Sequence, residues 1–333
     1  MKHMKLKTIS VLLIIFTFSR FGQAGNGFNK AGRTSFQFLK IGIGARATAL
    51  GEACIANISG VDAILWNPAA VASIQNFETS FSYNQWLGDM NIMSGAIGYK
   101  VGGIGVVALD YVSLNYGDIP EALVTNTTGK LDTRTGEYFS GGDLQVGLAL
   151  SKRFTNKLSI GIHTKYLREE LFTYSTDLWA FDVGTYYHTG WKGVRLAMSA
   201  QNFASQARWL YTQQKIKQQY QLPLLFRIGT SIDLLGGPDL FFGGNPNKQR
   251  LSLNFDAIHS NDYAERLNIG MEYWLFNKFA LRSGYRLNRD EGKFSAGGAI
   301  NYKTSLIHMV IDYAFVDYDY LNAVHRFTIK LKF

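Results

Sequence analysis

The feature that most limits how this chain can fold is an alternation of apolar and polar residues, period two, that recurs from Phe77 almost to the last residue. In "ERLNIGMEYWL", Leu267, Ile269, Met271, Tyr273 and Leu275 fall on one side, with Arg266, Asn268, Gly270 and Glu272 on the other. Only an extended strand keeps those two sets apart, because successive side chains of a strand point to opposite faces. "DLQVGLALS" sets Leu144, Val146, Leu148 and Leu150 against Asp143, Gln145, Gly147 and Ser151. "RLSLNFDA" and "LIHMVIDYAF" repeat the pattern.

These runs predict strands at 77–87, 91–101, 103–114, 141–153, 156–168, 177–190, 193–204, 222–235, 250–260, 263–276, 278–289, 293–302, 305–317 and 323–333. Each is near or above the roughly 9–11 residues that cross a bilayer at a tilt. The even count returns both ends of the sheet to one side, and the pattern predicts an all-β fold, a fourteen-stranded antiparallel transmembrane barrel. Aromatic residues near strand ends, among them Trp86, Tyr111, Tyr166, Trp191, Trp274, Phe276 and Phe315, match interfacial girdles. A soluble sandwich would alternate too, but with shorter strands and apolar faces packed on each other.

The connections predict sidedness. "KVGG", "RFTNK", "TGWKG", "FNK" and "YKT" are tight turns, while 115–140, 169–176, 205–221 and 287–293 are longer polar joints. That places short turns on the periplasmic side and long loops outside. "GDMN" is a short outer joint and "GGPDLFFGGNPNKQ" (236–249) a long periplasmic one, so both depart from the rule.

At the N-terminus, Lys2, Lys5 and Lys7 precede an apolar run from Val11 to Phe18 and small residues at Gly22 and Ala24, which predicts a secretory signal over 1–24. Its removal takes Lys2, Lys5, Lys7 and Arg20 and no acid, lowering the net charge from +9 to +5. Nucleic acid is therefore not an expected partner. Cys54 is the only cysteine, which excludes an intramolecular disulfide. The histidines are scattered singly, so neither a metal site nor a cofactor is expected. The stretch 38–53, "FLKIGIGARATALGEA", fits a dinucleotide fingerprint through Gly42, Gly44 and Ala47, with Asp62 downstream. That fingerprint needs a buried strand before it and a βαβ unit around it, and neither is present. No Gly-x-Ser-x-Gly elbow occurs, and no catalytic residues are assigned.

Residues 25–76 thus precede the barrel (77–333) as a compact, small-residue segment able to plug its lumen. Asn67 is placed to cap a short helix with Pro68 in its first turn. "FLKIGIGARATALGEA" followed by "DAILWNPAAVAS" resembles the N-terminal region of the PorV/PorQ family of Bacteroidota-type outer-membrane proteins, and Asn67-Pro68-Ala69 resembles the hatch motif of the wider FadL family.

The resemblance implies a hatch containing Gly44, Ala45, Arg46, Trp66, Asn67, Pro68 and Ala69. It also implies a cell outer membrane location and a non-enzymatic role in type IX secretion. The partners would be outer-membrane lipids, translocon or attachment proteins, and the C-terminal domains of secreted cargo. The FadL likeness implies the alternative, a transporter of hydrophobic small molecules. "HRFTIKLKF", ending on Phe333, resembles the signal read by the barrel assembly machinery.

Ten charged strand residues are expected to face the lumen: Lys165, Arg195, Arg227, Asp233, Asp256, Arg266, Glu272, Arg282, Arg286 and Asp312. Opposite charges pairing across the interior is their simplest use, and Arg46 could join them. The segments 211–223 and 315–321 are expected at loops, where a partner protein could bind.

Overall fold

In the computed structural model, which describes residues 32–88, 90–122, 134–211, 214–215, 219–305 and 307–333, fourteen antiparallel strands form a closed ring. In chain order they are β1 (Phe77–Gln85), β2 (Asn91–Val101), β3 (Gly105–Asn115), β4 (Gly141–Arg153), β5 (Leu158–Leu171), β6 (Tyr174–His188) and β7 (Val194–Ala204). The second half comprises β8 (Leu225–Leu235), β9 (Gln249–Ser260), β10 (Arg266–Leu275), β11 (Phe279–Leu287), β12 (Phe294–Lys303), β13 (His308–Asp317) and β14 (Ala323–Lys332). Each strand pairs with its neighbour in sequence, and β1 pairs with β14 from Glu78↔Lys332 to Gln85↔His325, which leaves no open edge. The segment expected to be the export signal lies outside the described residues.

The ring is inside out relative to a soluble protein. Its outer surface carries Ile97, Leu148, Ile162, Trp179, Leu281 and Ile300, all exposed, whereas Asp110, Asp182, Asp256, Glu272, Arg286 and Arg326 are buried within. This is the arrangement a barrel needs in hydrocarbon. The alternation read from the sequence sets both faces, and the ten charged positions all point inward as expected, each buried or half-buried.

The connections correct one expectation. Residues 169–176 are not a long loop: β5 continues to Leu171 and β6 begins at Tyr174, so two residues join them. Backbone pairing is indifferent to side-chain polarity, and Glu169↔Thr176 and Glu170↔Ser175 stay in register beyond the apolar belt. Phe172 makes the turn with φ 54°, and Tyr174 stacks on Tyr211 at 4.7 Å. Between β3 and β4, Ile119–Ala122 pairs with Arg134–Phe139 as a separate small hairpin. The loop expected at 211–223 lies partly outside the described residues.

Candidate functional site

Residues 32–76 run inside the ring as short helical turns: Gln37–Lys40, a five-residue helix α1 (Ala45–Ala49), Val61–Leu65 and Pro68–Ser73. They fit because the wall gives them room. A Cβ at Gly161 of β5 would meet the backbone of Pro68, and one at Gly184 of β6 would meet Asn67. On the other side, Gly229 faces Ile55, Gly270 faces Leu50, Gly284 faces Gly51 and Gly297 faces Ala49. Glycine is costly inside a strand, and a close backbone approach is one of the few reasons to place it there.

The expected hatch residues form one connected set. Gly44, with φ 87°, begins α1, where the Thr48 hydroxyl donates to its carbonyl at 2.7 Å. The Ala45 N–H donates to Thr328 Oγ1 of β14 at 2.9 Å. Arg46 grips Glu272 of β10 with both ends of its fork, Nε to Oε2 at 3.0 Å and Nη2 to Oε1 at 2.9 Å. Glu272 also takes Arg282 at 2.6 Å, and Arg282 reaches Asp312 at 2.6 Å, so hatch and wall share one buried network.

Trp66 donates from Nε1 to the Ile43 carbonyl at 3.0 Å, and its own carbonyl accepts from Ser199 of β7 at 2.8 Å. Asn67 caps the turn as its sequence position suggests: its side-chain oxygen accepts from the Ala69 N–H at 3.1 Å, with Pro68 in the first turn. Its amide nitrogen then donates to the Thr185 carbonyl of β6 at 3.0 Å, so the cap doubles as a tie to the wall. The Ala69 carbonyl accepts from Ser151 of β4 at 3.0 Å. Phe333 lies elsewhere, at the closing seam, where its N–H donates to the Phe77 carbonyl at 2.9 Å and the two rings lie 5.7 Å apart.

Other ties were not singled out in the sequence. Asp256 of β9 accepts from the Cys54 and Ile55 N–H groups at 2.8 and 3.1 Å. Lys330 of β14 pairs with Asp62 and Lys40 with Asp262. Glu52 faces Arg286 at 3.4 Å and Arg289 at 3.6 Å. Burial alone would raise the Glu52 carboxyl, but the guanidiniums of Arg289 and Arg286 outweigh it and hold it at about 2. Burial likewise opposes ionisation of Asp62, and the Lys330 ammonium more than compensates, lowering its pKa. The Cys54 thiol is pushed up by burial, which makes it a poor nucleophile.

At the loop end the hatch meets an apolar wall. Phe36, Phe38, Leu39, Ile41 and Ile43 pack on Ile92, Val112, Leu114, Leu167, Leu178 and Leu222. Five of these wall residues lie on β2, β3, β5 and β6 and point into the lumen, against the polar habit of the rest of the interior. Beneath the strip lies a cavity of about 40 Å³. Its wall side carries His163, whose ring nitrogens sit 2.7 Å from Asp110 and 2.9 Å from Asp182, and Lys165, which donates to Asp182 at 2.9 Å. Both imidazole nitrogens face carboxylates, so donating to both requires the imidazolium form. The cavity holds a water or two but not an aromatic ring, for which an enclosed volume of roughly 150 Å³ is a fair guide.

No protein-family model matches the chain, and no curated protein matches it. Solved structures do. The Pseudomonas putida toluene transporter TodX superposes with a TM-score of 0.57 at 12% identity, covering 87% of this chain and 97% of TodX. The CymD monoaromatic hydrocarbon channel gives 0.51 at 10% identity, covering 87% of this chain and 96% of its own. This chain therefore has the fold of the FadL-like outer-membrane barrels.

Proposed function

We propose that this protein is an outer-membrane channel for hydrophobic small molecules whose N-terminal segment closes the route. The observation that carries this reading is the apolar inner wall at the loop end, where Ile92, Val112, Leu114, Leu167 and Leu178 face the lumen and the strip Phe36–Ile43 covers them. A barrel that conducted water and ions would keep those positions polar. An apolar compound could exchange for the strip at little cost, since each would shed similar surface from water. The toluene transporter TodX and the monoaromatic hydrocarbon channel CymD, which share this fold, support the reading.

The test is uptake of a radiolabelled monoaromatic hydrocarbon by cells carrying the protein in their outer membrane. Uptake should exceed that of cells without it, and Phe38→Ala, which loosens the strip, should raise it several-fold. Uptake that is indifferent to the protein and to the strip would remove the reading.

A second reading, a PorV-like carrier in type IX secretion, draws support from the closed lumen together with exposed aromatics at the loop end: Tyr138, Phe172 and Tyr320. In that case the detergent-solubilised protein should bring down secreted proteins sharing a C-terminal domain, or the translocon itself. An eluate without them, but with a bound hydrophobic compound, favours the channel.

A further inference from the structure

Beyond the hatch, at the turn end, the lumen opens into two cavities of about 240 and 300 Å³. Arg46, Ser59 and Arg250 line both, so they are two lobes of one vestibule. Arg153 and Arg195 border the first lobe; Arg282, Lys330 and Lys332 border the second.

The carboxylates near these cations are already engaged. Glu272 holds Arg46 and Arg282, and Asp312 holds Arg282. Asp233 holds Arg195, Asp62 holds Lys330, and Glu78 holds Lys332. Among the described residues Arg153 and Arg250 make no ion pair.

Arg250 lies where the lobes meet, over the indole of Trp274 with 5.7 Å between guanidinium and ring centre. Arg282 sits on the same ring at 5.6 Å and is 4% exposed, yet its Nη2 finds no hydrogen-bond acceptor in the protein. The buried indole Nε1 of Trp274 also lacks one. Buried donors left without acceptors are costly. Here two of them belong to residues lining a cavity that also contains an uncompensated guanidinium.

We propose that the vestibule is a binding site for a small soluble oxyanion, a carboxylate or phosphate group taken by Arg250 with Arg282 and the Trp274 N–H, and with Arg153 adding charge from the first lobe. The planar fork of arginine matches an oxyanion in two-point geometry and a halide does not, which sets the chemical class. The volumes stand at or below the lower end of the usual range for ligand pockets, about 300–1,000 Å³, which sets the size. The site lies at the opposite end of the lumen from the Phe36–Ile43 strip, so its occupancy can be read without displacing that strip.

Titration calorimetry on the purified full chain in detergent tests this with inorganic phosphate and with succinate, each against chloride at matched ionic strength. Phosphate or succinate should bind where chloride does not, and the tighter of the two identifies the group recognised. Arg250→Gln should weaken binding at least tenfold, and Arg153→Gln should weaken it less. Because Arg250 holds no ion pair and gives up only its stacking on Trp274, its variant should lower the thermal midpoint only slightly when no anion is present. Arg250→Lys keeps the charge and loses the fork, and should also bind more weakly. Affinity unchanged in Arg250→Gln, or oxyanions no better than chloride, would overturn the proposal.

Discussion

The two halves of the lumen wall hold the same hatch by different physics. On β2, β3, β5 and β6 the side-chain packing at the loop end is apolar, Phe36 and Phe38 on Ile92, Val112, Leu167 and Leu178, with one polar tie where the Phe36 N–H donates to Glu169 at 2.7 Å. On β9 to β14 they are ionic and hydrogen-bonded: Arg46 on Glu272, Asp256 on the Cys54 and Ile55 N–H groups, Glu52 on Arg286, and Asp62 on Lys330. Apolar contacts are non-directional and slide at little cost, whereas a buried ion pair has one good geometry and leaves an uncompensated charge when broken. The apolar side is therefore expected to loosen before the charged side.

The largest effect is expected at Glu272. Glu272→Ala strands Arg46 in the interior and leaves Arg282 with Asp312 alone, and should cost about 3–5 kcal/mol. Hydrogen exchange should then show residues 45–58 losing protection while β1 to β14 keep theirs. Protection equal to the parent would mean that the network does not anchor the hatch. Phe38→Ala, on the apolar side, should cost about 3 kcal/mol locally. Its exchange should quicken over residues 36–43 and leave 45–58 alone, and a uniform change along the whole hatch would erase the distinction between the halves.

Acid tests the charged side without a mutation. Glu52 has a folded value of about 2, below its ordinary 4.5, so its contribution is complete above 4.5 and is lost as the pH falls through 2. Protection around Glu52 should hold from neutral pH to about 4.5 and decline between there and about 2, while the Phe38 contacts persist. Loss beginning near pH 6 would assign the acid sensitivity to another group. The smallest effect is expected at Arg168–Glu170, an exposed pair near the β5–β6 turn. Glu170→Gln should shift the thermal midpoint by no more than about 0.5 kcal/mol of stability, in keeping with solvent-screened pairs.

Much of the barrel is legible in the sequence because each strand carries its own evidence. Apolar residues facing hydrocarbon and polar ones facing the lumen repeat within ten residues, so no distant information is needed. The same local rule misjudges 169–176, where Glu169 and Glu170 read as loop although their backbone stays paired. The caps and turns of the hatch are also local: Asn67, Pro68 and Gly44 stand where their side chains and φ values require. What cannot be read is partnership. Arg46 and Glu272 are 226 positions apart, and only closure of the ring brings them within 3 Å. Gly161, Gly184 and Gly284 look like weak points in strands until the segment that presses on them is in place.

Those glycines also bear on how the molecule is made. The seam that seals the ring joins β1 to β14, Glu78 to Lys332, so closure waits for the last strand. The hatch precedes every strand in the chain, yet it touches partners from Glu78 on β1 to Lys330 on β14. Contacts so distant in sequence form slowly. Once the seam is shut, a segment that fits against bare backbone on several sides has little room to enter. Refolding with residues 32–76 supplied separately, after the barrel has formed, should therefore fail to restore hatch protection that the intact chain regains. The wall would then be assembled around its contents, with the hatch acting as the mould on which the last strands close.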